Sequence, residues 1–121
     1  MKIRFVILAA AMFLLSAFTQ AELETAKKAK EFFKDGYWKC LATEIVRLQP
    51  TNISVQEFSL FTKGACRKER SEFFVSLSDY IVMLKPDLVA DRSLVASAAN
   101  IAISAAQDDA VKVFVDLRSR R

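Results

Sequence analysis

The segment Tyr37-Trp38-Lys39-Cys40-Leu41-Ala42-Thr43-Glu44 sets a phenol, a thiol and a carboxylate at positions i, i+3 and i+7, with a tryptophan beside them. On a helix that spacing puts the three groups on one side. Two chemistries fit these residue types: a reactive thiol with an acid or base in reach, or one half of a disulfide whose other half is Cys66. A nucleophilic cysteine relies on a histidine or an electropositive pocket to hold its thiolate. The chain contains no histidine. Lys39, Lys63, Arg67 and Lys68 are the charges near the two cysteines, and they read more simply as solvent-facing neighbours. A redox pair would sit a helical turn apart as C-x-x-C, and a zinc site needs about four ligands. Two cysteines this far apart, without histidine, suit neither. The residues therefore predict no catalytic group, no metal and no cofactor.

Where the chain resides decides what two cysteines do. Residues 1–21, MKIRFVILAAAMFLLSAFTQA, read as a secretory signal peptide: Lys2 and Arg4 form the basic start, Phe5 to Phe18 an apolar run, and Thr19-Gln20-Ala21 a cleavage site. The apolar run is shorter than the roughly 20 residues of a spanning helix. The expectation is an exported protein, periplasmic or extracellular, cleaved after Ala21, with residues 22–121 forming a single helical domain that does not span the membrane. Lys2 and Arg4 carry two of the 18 basic charges, so the remainder sets 16 against 14 acidic residues, near +2 rather than the +4 of the whole chain. That modest charge, together with export, argues against nucleic acid as a partner. In an oxidising compartment, an even cysteine count predicts the bridge Cys40–Cys66.

The elements that must position this bridge are helices. Only two glycines and two prolines interrupt the chain, and Ala26, Ala29, Phe33, Tyr37, Cys40, Leu41, Ile45 and Leu48 recur at three- and four-residue steps. Asp35-Gly36 is a possible kink in this first helix. Pro50-Thr51-Asn52 is a turn, and Ser54-Val55-Gln56-Glu57 is a capping box that starts a second helix at Val55, with Ile53 and Phe58 as its hydrophobic staple. That helix can run past Gly64 and Cys66 to the stop at Lys85-Pro86. Either Asp87 or Asp91 caps the last helix, whose narrow face of small residues includes Val95, Ala99, Ala102, Ala106 and Ala110. The fold class is thus all-α: a small antiparallel three- to four-helix bundle stapled by one disulfide, the fourth helix arising from a break at Gly36 or Gly64.

Antiparallel pairing about the staple sets Glu69 near Tyr37, which predicts a buried polar contact between them, or an acid at the base of a pocket. The aromatics exceed what one face can bury. In pairs such as Phe32-Phe33, Tyr37-Trp38 and Phe73-Phe74, neighbours point about 100° apart. Trp38, Phe32 and Phe74 are therefore the candidate binding face, for another envelope protein or for a second copy.

Trp38-Lys39-Cys40 and Ala65-Cys66-Arg67-Lys68-Glu69 resemble small exported bacterial helical proteins of unknown function that combine W-x-C with a later A-C-x-x-E. In size, export, helicity and a single disulfide, the chain is also similar as a class to immunity proteins that neutralise type VI secretion amidases in the periplasm. The resemblance implies an inhibitor-like or protein-binding role. The alternative is a carrier that parts its helices to admit a small apolar ligand or lipid among Phe33, Tyr37, Phe73 and Leu77. An enzyme is not expected, because no nucleophile, base and orienting group can be assembled from these residues.

Overall fold

A computed structural model describes residues 18–120. The signal-peptide reading falls mostly on residues outside that range. Within it lie four α-helices, α1 (Gln20–Leu48), α2 (Val55–Gly64), α3 (Arg67–Leu84) and α4 (Arg92–Ser119), with a 3-10 turn at Pro86–Ala90.

Local sequence chemistry accounts for most helix ends. The Thr19 hydroxyl accepts from the Glu22 amide to start α1, and the Ser54 hydroxyl accepts from the Glu57 amide to start α2. Of the two aspartates, Asp91 is the cap: its carboxylate accepts from the Leu94 amide at 3.2 Å. Pro86 stops α3, because it has no amide proton to continue the ladder. Gly36 does not divide α1, which runs unbroken for 29 residues.

Of the two breaks expected as alternatives, the one at Gly64 is realised: α2 ends there, and the stretch from Val55 to Leu84 is two helices parted at residues 65–66. Ala65 turns extended and Cys66 takes the left-handed conformation, φ 56° and ψ 44°, as the only positive-φ residue described. A β-carbon in that region costs roughly 1–2 kcal/mol, so something non-local must hold it. Two contacts do. Cys66 is bonded to Cys40, and the Arg70 guanidinium donates to the Lys63 carbonyl, satisfying an acceptor left open at the end of α2.

The break lets the two halves pack on different neighbours. α3 lies antiparallel along α1, with the Cys40–Cys66 bridge at one end, Tyr37 against Phe73 in the middle and Lys30 over the Tyr80 ring further along. α2 instead turns onto α4, where Phe58 stacks on Phe114 with centroids 4.1 Å apart and planes 7° from parallel. α4 runs parallel to α1, shown by Gln107 meeting Tyr37 and by Arg118 donating to the Thr51 carbonyl. Arg118 thus ties the end of α4 to the turn after α1. One apolar cluster draws on all four helices: Tyr37, Leu41 and Ile45, then Phe58, Phe73, Ile103, Ala110 and Phe114.

Among the described residues, no helix is long and apolar enough to cross a membrane. The point of expected cleavage, after Ala21, falls in the first turn of α1.

Candidate functional site

The staple places its neighbours but offers no free thiol. Cys40 and Cys66 are bridged with Cα atoms 6.0 Å apart. The Glu69 carboxylate lies within 4.8 Å of both sulfurs. With both sulfurs committed to the bridge, that trio presents a single carboxylate to any cation.

The Tyr37–Glu69 contact is corrected by the structure. The Tyr37 hydroxyl accepts from Gln107 Nε2 of α4 at 3.1 Å, with both side chains buried. The antiparallel register sets Phe73 beside the Tyr37 ring, and Glu69, one turn of α3 earlier, falls at the level of the bridge. Gln107 was legible only as a polar residue sharing the face of Ile103 and Ala110, at i+4 and i−3. Burying that amide requires a partner, and Tyr37 supplies it.

Burial pushes the Tyr37 pKa up, against the opposing effects of the Gln107 bond and the Arg70 charge. The folded state therefore holds this proton more tightly than the unfolded chain does. The stability it contributes is fully present below about pH 10, the ordinary phenol value, and is lost as pH rises from there through the folded value. Tyr37→Phe is expected to cost about 1–3 kcal/mol at neutral pH, because the Gln107 amide loses its partner. It should also lessen the fall in stability above pH 10. Urea unfolding at pH 7 and pH 10.5 checks both, and an unaltered alkaline slope would exclude Tyr37 as the titrating group.

Trp38, Phe32 and Phe74 do not form one face. Phe32 and Trp38, six residues apart on α1, point about 120° from one another. Phe32 is 71% exposed and touches the edge of Phe33. Phe74 packs toward α4 and the 3-10 turn, beside Leu88, Val89 and Val95. Trp38 alone stands over a cleft shared by three helices. The apolar ligand slot expected among Phe33, Tyr37, Phe73 and Leu77 is likewise divided. Tyr37 is fully enclosed, Phe33 faces the far side of the α1–α3 pair, and Phe73 and Leu77 remain with Trp38.

Two grooves follow from that arrangement, one on each side of the α1–α3 pair. The first, of about 630 Å³, has Trp38, Phe73 and Leu77 along one wall and the small residues Ala102, Ala105 and Ala106 of α4 along the other. Lys30, Lys34 and Lys112 stand at its rim, with Asp109 the one carboxylate. The alanines leave room because α4 turns only small side chains to this side at their level, with Ile103 directed into the core instead. Lys30 is held in place by Glu31 at 3.2 Å and by the Tyr80 ring at 4.7 Å. The second groove, of about 720 Å³, is lined by α1 and α3 alone. Family models, curated proteins and solved structures were compared with the chain, and none matches.

Proposed function

We propose that this is an exported helical binding protein, inhibitor-like or immunity-like in class, that recognises another envelope protein through the Trp38 groove. The observation that carries the reading is Trp38 itself, half-buried against the core yet walling an open cleft rimmed by three lysines. Tryptophan concentrates binding energy where it meets a partner, since it offers a large apolar area at small entropic loss. The lysines select the partner's sign: the groove suits an apolar anchor side chain flanked by carboxylates. The Cys40–Cys66 bridge supports export, since disulfides persist in oxidising compartments. No covalent chemistry is assigned to the groove, because its lining holds no nucleophile paired with a base.

Affinity capture with the oxidised protein from its own envelope extract tests the proposal. An envelope protein should be captured by the wild type, lost with Trp38→Ala or Lys34→Glu, and kept with Phe32→Ala. With the purified partner, Trp38→Ala should weaken binding about 30-fold, which corresponds to roughly 2 kcal/mol. Because Trp38 is the only tryptophan, its emission should shift as the complex forms. Capture of the same proteins by the wild type and by both groove variants would overturn the reading. Native mass spectrometry showing a co-purified small apolar molecule would favour the carrier instead.

A further inference from the structure

We infer that the open side of the α1–α3 pair is a second recognition groove, built to take the apolar face of a basic amphipathic helix. Its geometry comes first. α4 covers one side of the pair, and the opposite side has no described element over it. Val75 on this side is 54% exposed, far above what an inward-facing valine of a helix pair would show. Ala26 and Ala29, one turn apart on α1, leave a trough that Val75 and Met83 of α3 border. A seam between two antiparallel helices with small residues along it is the shape into which a third helix packs. From Ala21 to Phe33 the lined stretch of α1 rises about 18 Å, three turns of helix.

Charge then selects the occupant. Glu22, Glu72 and Asp79 are the charged residues lining this groove, and no lysine or arginine joins them there. Glu72 is shared with Lys68 at 3.7 Å across an exposed i, i+4 pair, a weak hold that an incoming cation can replace. Asp79 has no ion-pair partner among the described residues. The two grooves thus carry opposite signs on opposite sides of one helix pair, lysines beside Trp38 and carboxylates here. An acidic ligand of the first groove is repelled by the second, so the two sites serve different partners. A basic amphipathic helix satisfies both features, its apolar stripe filling the trough and its flanking lysines or arginines meeting Asp79 and Glu72. All the lining residues except Ala21 lie beyond the expected cleavage point; cleavage there would free the Glu22 amino group at one end of the groove, and Glu72 and Asp79 are the carboxylates remote from it.

The test uses two synthetic fourteen-residue peptides of identical leucine stripe, one with lysine and one with glutamate on the polar face. Each is titrated into the full oxidised protein and followed by fluorescence anisotropy. The lysine peptide should bind at least tenfold more tightly than its glutamate twin, and its affinity should fall as salt is raised. Asp79→Lys should weaken it about tenfold, and Ala29→Arg, which fills the trough, should abolish binding. Asp108→Lys, the same charge change on the surface of α4, should leave it within twofold. Circular dichroism of each variant confirms that the helices persist. Equal binding of the two peptides, or equal effects of Asp79→Lys and Asp108→Lys, would overturn the inference. So would sedimentation showing a dimer that Val75→Arg dissolves, since a second copy would then cover this face.

Discussion

Replacing both cysteines, as Cys40→Ala with Cys66→Ala, is expected to lower stability by about 3.5 kcal/mol, the loop-closure value for a loop of about 27 residues. For a domain of this size that is a drop in Tm of about 15–25 °C. The position of Cys66 makes the choice of replacement informative. Its backbone is left-handed, φ 56°, so alanine there retains the conformational cost while losing the bond that holds it. Cys40→Ala with Cys66→Gly should therefore regain about 1 kcal/mol, because glycine adopts that region freely. Urea unfolding of the three proteins decides the matter. Equal stability of the alanine and glycine pairs would mean that residue 66 leaves the left-handed region once the bridge is gone.

The second large effect is expected at Phe114. The side chain is fully buried, stacks on Phe58 at 4.1 Å and carries the Arg118 guanidinium 4.3 Å from its ring centroid. Phe114→Ala should cost about 3–5 kcal/mol, transfer and cavity terms together. The loss should also be local in a revealing way. α2 has ten residues, and an isolated helix shorter than about 12–15 residues is marginal in water. Without Phe114, α2 loses the ring that seats it on α4. Hydrogen exchange should then show amides 55–64 losing protection well before those of α1 and α3. A cycle with Phe58→Ala should return a coupling of about 0.5–1.5 kcal/mol beyond the area buried. Uniform loss of protection across all four helices would show that α2 is not held mainly by this stack.

These two sites mark where a linear reading succeeds and where it fails. The Ser54 cap and the stop at Pro86 are legible because each is satisfied within three or four residues. The pairing of Cys40 with Cys66 is legible for a different reason, since compartment and cysteine count leave few alternatives. The break before α3 is legible only as one of two options, because Gly64 and Gly36 mark equal candidates and only Gly64 ends a helix. Ala65 and Cys66 continue the apolar period of α2, so periodicity extends the helix through them. What ends it is a left-handed residue held by a bond to α1 and by the pull of Phe58 toward α4, both long-range. The partner of Tyr37 escaped for the same reason. Glu69 satisfies a two-helix register, but the third helix brings Gln107, seventy positions away.

The candidate site divides along the same line. Trp38 as the residue to watch follows from the sequence, because it leans away from the seam that Tyr37, Cys40 and Leu41 define. Phe32 and Phe74 join it only as members of adjacent aromatic pairs that cannot both face the core, and that angle does not fix a common direction in space. The lysines that give the groove its sign come from two helices, and the alanines that give it depth come from α4, so neither could be assembled before α4 was placed.

The sequence alone therefore determined an all-helical chain with two cysteines paired, most helix ends and the amphipathic faces, since these depend on backbone hydrogen bonding, side-chain period and redox chemistry acting locally. Only the tertiary structure decided that α2 and α3 part company, that Gln107 caps the buried phenol, and that two grooves of opposite charge flank the α1–α3 pair. The reason is physical: the directions in which helices leave a break are set by which large side chains can be buried together, and that is a property of the whole packed chain.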